Sequence, residues 1–256
     1  MQNSFFGVDI QPIAVETSRL RCFLSIIIEE EIHNDEGNRG INPLPNLDFK
    51  FITANSLINF DYDSAKNYST NQTTFFEDQS HMDNLKEIRE RYFSATESER
   101  HSLVTEFCEV QQDMLLKTIN KLGKESSKKY ARLYSWKLLK NELTDWFDAE
   151  WMFGVKNGFD IIIGNPPYIQ LQKEDSDGEK FGNTYKECGF ETFAKTGDIY
   201  CLFFEKGYNL LKNTGILLFI TSNKWMRAGY GEKLRKFFSE KNKPSGPYRL
   251  HGYKDI

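Results

Sequence analysis

The chain has 256 residues, 39% of them hydrophobic, which is enough to bury one substantial core and excludes a wholly disordered protein. Its formal net charge of −4 and its pI of about 5.7 exclude an overall positive field, so any contact with a nucleic-acid backbone must be local. The four cysteines form no Cys-x-x-Cys pair, and no apolar run approaches the roughly 20 residues of a membrane span, so the composition predicts no metal site, no membrane partner and a cytoplasmic location.

The first sixty residues follow a pattern of strand, helix, loop and strand. Residues 5–10 predict a short buried strand, and Pro12 begins a helical pattern. The apolar positions of that helix are Ala14, Leu20, Phe23, Leu24 and Ile27. A loop rich in glycine and proline follows at 34–46, and residues 49–52 then predict a second strand.

A polar stretch and two helical stretches come next. Residues 61–80 have no apolar period and predict a loop. Thr96 and Glu99 form a capping box on a helical stretch whose apolar stripe contains Leu103, Phe107, Val110, Met114 and Leu115. Residues 127–143 predict a further helix with five basic side chains, which are either solvated or in contact with phosphate: Lys128, Lys129, Arg132, Lys137 and Lys140.

The final third alternates strands and helices. Residues 159–164 and 215–221 predict continuous apolar strands. The helices between and after them are predicted at 199–211 and 231–238, the first with Leu202, Phe203 and Leu210 buried. Apolar strands separated by helices are typical of a parallel sheet covered on both faces. The pattern therefore predicts an α/β fold, with core segments at 1–60 and 146–243, a mainly helical insertion at 61–145 and a tail at 244–256.

Four residues directly after the strand at 159–164 carry the chemistry: Asn165, Pro166, Pro167 and Tyr168. The prolines fix the backbone and remove two donors, which leaves a rigid loop of acceptors where α/β sheets place active sites. The Asn165 side-chain oxygen and the Pro166 carbonyl can accept both hydrogens of an exocyclic amino group, orienting its lone pair for in-line methyl transfer without a strong general base. Tyr168 can stack on an extruded base. The alternative is a tight turn with a buried aromatic residue.

These four residues resemble the fourth motif of the amino-group methyltransferases. The resemblance implies a Rossmann-like sheet, S-adenosylmethionine as the cofactor, and transfer of its methyl group to the N6 amino group of adenine in DNA. It places all four residues in the catalytic site, with Asn165 also beside the cofactor.

Two further segments resemble cofactor motifs of the large DNA methyltransferases that are fused to, or associated with, restriction systems. Residues 7–10, followed by Pro12 and a helix, resemble the second motif. This implies that Asp9 holds the cofactor ribose and that Ile10 contacts the cofactor; the alternative is that Asp9 caps the helix. The third motif, in which a polar side chain meets the cofactor adenine and apolar neighbours flank its ring, is resembled by Asn55, Ser56 and Leu57. The alternative is a turn, in which Asn-Ser is common.

Later segments resemble the family as well, at residues 196–200, 211–216 and 221–225. The resemblance implies that Asp198 and Tyr200 shape the floor of the cofactor and base pockets, and that Lys224 and Arg227 bind DNA phosphates. The alternatives are helix capping by Asp198 and plain surface exposure of the two cations.

The glycine-rich first motif and the target-recognition domain of the family are not found in the chain. The expectation is a methyltransferase core truncated at both ends, whose partners are DNA and a complementing chain that supplies the other parts. Three functions stay open: a bacterial DNA adenine methyltransferase of a restriction-modification or phage-defence system, a methyltransferase of protein glutamine or RNA adenine, and a non-catalytic remnant that binds a partner through an open sheet edge.

Overall fold

The computed structural model describes residues 4–31, 33–35, 39, 44–60, 79–122, 131, 133, 136, 142–174 and 178–241. The chain divides into two compact units, Met1–Lys156 and Asn157–Ile256. Each unit pairs two parallel strands and packs helices against them, which confirms the predicted α/β class. The predicted limits of the helical insertion stay a prediction.

The sheet of the first unit contains β1 (Gly7–Asp9) and β2 (Phe51–Thr53), which run parallel. Helix α1 (Pro12–Glu29) follows β1 and begins at the predicted proline, whose fixed φ suits the first helical turn. β2 is fully buried, but β1 is only half-buried and ends at an exposed Asp9, so the prediction of a buried first strand was wrong. The reason is that α1 covers β1 poorly, since Val15 is the one fully buried residue of α1.

The helices of the first unit that follow β2 are α2 (Gln79–Phe93), α3 (Glu97–Leu122) and α4 (Ala149–Phe153). The helical stretch predicted after residue 80 is thus divided in two, with a break at residues 94–96. The Glu99 carboxylate accepts a hydrogen bond from the Thr96 backbone at 2.8 Å, which confirms the capping interaction. Three side chains of the predicted apolar stripe are buried: Leu103, Phe107 and Met114. The other two, Val110 and Leu115, are half-buried.

The second unit contains the parallel strands β3 (Phe159–Gly164) and β4 (Leu211–Phe219), and the helices α5 (Phe181–Lys186), α6 (Tyr200–Leu210) and α7 (Glu232–Lys241), with 3-10 turns at Asn223–Met226 and Gly229–Gly231. β3 has its predicted bounds, whereas α5 was not predicted. β4 begins at Leu211 rather than at residue 215 because Leu211 already pairs with Phe159. The register then shifts, so that the next pair is Ile161 with Ile216.

Within the described residues of the second unit, one face of the β3–β4 sheet is covered, and cover on both faces stays a prediction. On the covered face, the rings of Phe204 and Phe219 lie 5.3 Å apart. Gly207 of α6 lets Leu217 approach closely, since an added Cβ would lie 2.7 Å from it. The other face presents apolar side chains that are 51–76% exposed: Ile161, Ile163, Ile216, Leu218 and Ile220. A continuous apolar run predicts a strand but does not say which of its faces is covered.

Two helices bury fewer apolar residues than the sequence predicted. In α6, Leu202 is fully buried, but Phe203 and Leu210 are only half-buried. On α1 the apolar side chains with 49–57% exposure are Leu20, Leu24 and Ile27. Each helix packs on a sheet of two strands, and strands spaced about 5 Å apart form a surface too narrow to cover a whole apolar stripe.

Three sequence predictions fall wholly or mostly outside the described residues. They are the loop at 61–80, of which residues 79 and 80 belong to α2, the basic helix at 127–143 and the tail at 244–256. In the part of the chain that the structure describes, no helix has the length and apolar character of a membrane span. The same part contains no group of three His, Cys, Asp or Glu side chains placed to hold a metal ion.

Candidate active site

The Asn-Pro-Pro-Tyr loop begins where β3 ends. Asn165 follows Gly164, whose carbonyl oxygen accepts a hydrogen bond from the Ile220 backbone at 3.1 Å, so the loop starts beside the end of β4. The Asn165 side chain is exposed and has no hydrogen-bond partner among the described residues. Pro166 is buried and Pro167 is exposed, which anchors the loop on one side. The Asn165 amide is therefore available to a ligand at the carboxyl ends of two parallel strands.

Tyr168 is exposed but held at two points. Its hydroxyl donates to the Ile220 carbonyl oxygen at 3.3 Å. Its ring packs edge-on against the buried Tyr200 ring, with centroids 6.0 Å apart and planes at 71°. Because 56% of Tyr168 stays exposed, the ring is positioned and still accessible. An aromatic ring that is already fixed loses little conformational entropy when another ring stacks on it.

A second stretch of chain runs against the Asn-Pro-Pro-Tyr loop. The Leu171 N–H donates to the Gly197 carbonyl at 2.8 Å, and the Ile199 N–H donates to the Ile169 carbonyl at 2.9 Å. These bonds place the segment that resembles a later family motif directly beside the Asn-Pro-Pro-Tyr loop. They also bring Tyr200, at the start of α6, under Tyr168.

Tyr230 contacts this group and was missed by the sequence reasoning. Its hydroxyl oxygen lies 2.7 Å from that of Tyr200, which is wholly buried. Burial and this hydrogen bond raise the pKa of Tyr200, and burial also raises the pKa of Tyr230, so both hydroxyls stay neutral. Gly231 fixes the turn, since an added Cβ there would overlap the Trp225 backbone. The sequence Gly-Tyr-Gly was the available signal.

Glu205 holds the chain that leads into the segment beside the loop. Its carboxylate is buried and accepts hydrogen bonds from two successive backbone N–H groups, at 3.1 Å from Glu191 and 2.8 Å from Thr192. The Thr192 hydroxyl donates to the Cys201 carbonyl at 3.1 Å. A carboxylate that accepts backbone bonds from two neighbours fixes their orientation as well as their position. A glutamate three residues after the buried Leu202, on the same side of α6, was the sequence signal for this role.

Lys224 and Arg227 are exposed just after β4. The Ser222 hydroxyl accepts a hydrogen bond from the Lys224 backbone at 3.3 Å and caps the 3-10 turn. The Arg227 N–H donates to the Lys224 carbonyl at 3.1 Å, which places the two residues one turn apart. Neither side chain forms an ion pair within the described part of the chain. The turn follows Ile220, whose carbonyl accepts the Tyr168 hydrogen bond, so both cations lie at the same end of the sheet as the Asn-Pro-Pro-Tyr loop.

In the first unit, Asp9 and Asn55 come to the same end of β1 and β2. Asp9 pairs with Thr53, and the Asp9 carbonyl accepts a hydrogen bond from the Ala54 N–H at 2.9 Å. The Asp9 carboxylate is exposed and accepts a hydrogen bond from the Gln11 backbone at 2.8 Å through one oxygen. Among the described residues its second oxygen has no partner. One oxygen thus holds the turn ahead of α1, and the other can accept from a ligand.

The residues that resemble the third motif form a turn at this end of the strands. The Asn55 side-chain oxygen accepts a hydrogen bond from the Leu57 backbone at 3.2 Å, as expected for an asparagine turn. Leu57 is 1% exposed and packs in the core, and Ser56 is half-buried. Ile10 is 49% exposed. Ile10 is therefore accessible to a ligand at this end, whereas Leu57 fixes the turn from below.

The sequence matches the Eco57I restriction-modification methylase family over residues 3–254. A type II restriction enzyme and methyltransferase of Escherichia coli, RM.Eco57I, is 37% identical over 82 residues, which cover 32% of this chain and 8% of that protein. A putative type II restriction enzyme and methyltransferase of Methanocaldococcus jannaschii is 25% identical over 285 aligned positions, covering 91% of this chain and 23% of that protein. The type II methyltransferase M.BstVI of Geobacillus stearothermophilus is 33% identical over 94 residues, 36% of this chain and 16% of that protein.

The chain spans less than a quarter of the length of these relatives. No solved structure matches it. The family match nevertheless extends over both units and includes the Asn-Pro-Pro-Tyr loop and the Asp9 turn. The chain belongs to the Eco57I restriction-modification methylase family.

Proposed function

We propose that the chain carries the catalytic core of an S-adenosylmethionine-dependent DNA methyltransferase of a type II restriction-modification system, and that the group it methylates is the N6 amino group of adenine. One observation carries the proposal. The Asn165 amide is exposed and unpaired, beside an accessible and anchored Tyr168, at the carboxyl end of β3. The names of the relatives support methylation within restriction-modification, and the choice of adenine rests on the chemistry of the loop.

Two acceptors hold the target amino group in this proposal. The Asn165 side-chain oxygen and the Pro166 carbonyl accept its two hydrogens and turn the nitrogen lone pair toward the methyl donor. Tyr168 stacks on the extruded base and offsets part of the few kcal/mol that unstacking costs. Lys224 and Arg227 bind phosphates of the same DNA, because both cations are exposed at this end of the sheet.

The first unit supplies residues that fit part of the cofactor. The free Asp9 oxygen accepts from a ribose hydroxyl, the exposed Ile10 side chain packs on the adenine ring, and the turn at Asn55 and Ser56 meets its edge. When bound, the cofactor supplies a methyl group on a positively charged sulfur. Asn165 and the Pro166 carbonyl would hold the amino nitrogen as it takes the methyl group and releases one proton to water.

Substitution of Asn165 by alanine tests the proposal. Loss of one positioned hydrogen-bonding group typically costs about 10²-fold to 10³-fold in rate, so Asn165→Ala should lower transfer of labelled methyl to an adenine-containing duplex by that factor. Asn183→Ala, at an exposed asparagine of α5, is the matched control and should change the rate by less than about twofold. Transfer is measured for the chain alone and with an added fragment that carries a glycine-rich first motif. Equal rates for Asn165→Ala and Asn183→Ala would contradict the proposal.

Two further measurements, of the methylated product and of cofactor binding, distinguish the proposed function from the other two. Labelled N6-methyladenine after nuclease digestion of the duplex supports the proposal, whereas label in RNA or in a glutamine peptide alone supports the second function. Calorimetry with S-adenosylmethionine should show saturable binding that Asp9→Ala weakens. Absence of binding even with the added fragment would identify a non-catalytic remnant.

A further inference from the structure

A cleft of about 220 Å³ lies in the first unit, away from the Asp9 turn. Its walls come from the residues that precede β1 and β2 and from α2 and the end of α4. The Gly7 N–H donates to the Lys50 carbonyl at 2.7 Å, at the amino ends of the two strands. Asp9 and Thr53 end the same strands. The cleft is therefore at the opposite end of the strand pair from the proposed cofactor residues.

The floor of the cleft is a buried guanidinium with missing acceptors. Arg89 is 7% exposed, and its Nη2 donates to the Trp151 carbonyl. The Nε and Nη1 atoms are buried and have no hydrogen-bond partner among the described residues. Gly154 also lines the cleft, and Nη1 lies 3.5 Å from the position that a Cβ on Gly154 would take. A buried charged donor without an acceptor costs several kcal/mol, which an anion in the cleft would offset.

Positive charge accumulates around this guanidinium. Lys50 and Lys86 line the cleft with Arg89, and Glu90 is the only carboxylate among its described lining residues. Lys50 Nζ lies 4.2 Å from the centroid of the Phe6 ring. Burial, followed by repulsion from Arg89, lowers the pKa of Lys50 to about 8. Burial lowers the pKa of Arg89 to about 9. Lys50 and Arg89 repel each other, whereas Glu90 attracts Lys50 and lies 3.9 Å from Lys86 Nζ, and the charges of Asp148 and Glu150 partly offset the burial of Arg89.

Size and charge define the class of ligand. Pockets for whole small molecules measure about 300–1,000 Å³, so a volume of about 220 Å³ suits a phosphate group and a part of what carries it. S-adenosylmethionine is a whole small molecule with a net positive charge, since its sulfonium and ammonium outweigh its carboxylate, so neither its size nor its charge suits this cleft. Arginine and lysine recognise phosphate by charge and by directed N–H groups.

We propose that the cleft formed by Lys50, Lys86 and Arg89 binds a phosphate group, carried either by the DNA backbone or by a free nucleotide. The proposal is independent of methyl transfer, because it concerns a different end of the strands and residues outside the Asn-Pro-Pro-Tyr loop. In this proposal a phosphate oxygen accepts from the buried Arg89 nitrogen atoms that lack an acceptor once a lining side chain moves aside, and Lys86, whose side chain is 61% exposed, supplies a second cation.

Phosphate titration of the 256-residue chain tests this site. Inorganic phosphate should bind saturably, as seen by calorimetry up to roughly 20 mM, which covers dissociation constants of about 1 mM. Lys86→Glu reverses a charge at the entrance without disturbing the core and should weaken binding at least about tenfold. Lys236→Glu makes the same charge change at a lysine whose side chain is 71% exposed, in the other unit, and should leave binding within about twofold. No saturable binding, or equal binding by Lys86→Glu and wild type, would overturn the proposal.

A second measurement identifies the source of the phosphate. Binding of a duplex oligonucleotide is followed by fluorescence anisotropy at several salt concentrations. If the ligand is the DNA backbone, Lys86→Glu should reduce the slope of log K against log salt by about 0.9 for each phosphate that the variant no longer neutralises. If it is a free nucleotide, Lys86→Glu should weaken adenosine monophosphate binding and leave that slope unchanged. An unchanged slope together with unchanged nucleotide binding would again overturn the proposal.

Discussion

The Tyr168 ring is positioned by its contact with Tyr200 and by two hydrogen bonds, one from its own hydroxyl and one between Tyr200 and Tyr230. The Tyr168 ring packs edge-on against Tyr200. Tyr200 is wholly buried, and its hydroxyl forms a hydrogen bond with the Tyr230 hydroxyl. A buried hydroxyl that loses its partner costs about 1–3 kcal/mol. Tyr230 therefore acts on the Tyr168 ring through Tyr200 and is a positioning residue.

The change Tyr230→Phe should destabilise the chain and loosen Tyr168. We expect a loss of about 1–3 kcal/mol in urea unfolding, because the Tyr200 hydroxyl keeps its burial and loses its partner. Tyr208→Phe is the matched control, since the Tyr208 hydroxyl makes an exposed bond of 3.5 Å to the Lys241 carbonyl, and should cost less than about 0.5 kcal/mol. Similar losses in the two variants would show that the pair between Tyr200 and Tyr230 contributes nothing.

Lys50 should make stability depend on pH in the alkaline range. Its folded pKa of about 8 is below the ordinary value of 10.5, so between these limits the unfolded chain holds a proton that the folded chain has released. The free energy of unfolding of the wild type should therefore rise, relative to that of Lys50→Met, from about pH 8 to about pH 10.5. Urea unfolding of both proteins across this range measures the difference. A difference that stays constant would contradict the lowered pKa.

At the level of helices and strands, local sequence signals set where several helices begin. Pro12 starts α1, and Glu99 binds the backbone of Thr96 ahead of α3, both as the sequence predicted. Helix α4 was not predicted, because a helix of five residues is too short for an apolar period to show. Its capping residues at the two ends are the signals that define it. Asp148 caps its start and Gly154, with φ +73°, ends it.

The cap of α4 gives a prediction at this level. The Asp148 carboxylate accepts a hydrogen bond from the Trp151 N–H at 2.7 Å, and Trp151 is fully buried. Asp148→Ala should therefore lower the free energy of unfolding by about 1 kcal/mol, within a range of about 0.5–2. Asp148→Asn keeps an oxygen at the cap and should retain most of that stability. Equal losses for alanine and asparagine would assign the effect to the charge of Asp148 and not to the cap.

At the scale of the whole molecule, the β3–β4 sheet has one face that its own unit covers and one face whose apolar side chains are exposed among the described residues. Neighbouring isoleucines test this arrangement with the same substitution. Ile162 is half-buried on the covered side, and Ile163 is 76% exposed. Ile162→Thr should cost about 1–3 kcal/mol because it places a hydroxyl against apolar neighbours, whereas Ile163→Thr should change stability by less than about 0.5 kcal/mol. Urea unfolding measures both. A loss for Ile163→Thr as large as that for Ile162→Thr would show that the open face is covered in solution.

Features that depend on neighbouring residues could be predicted from the amino-acid sequence. The strand at Phe159–Gly164, the start of α1 and the capping of α3 follow from local propensity and hydrogen bonding, and the position of the Asn-Pro-Pro-Tyr loop follows from the strand before it. Folding in three dimensions was needed to show which sheet face is open, that Leu57 lies in the core, and that Tyr230 pairs with Tyr200. These features join residues far apart in the chain, and their free energy comes from packing and burial that no local pattern encodes.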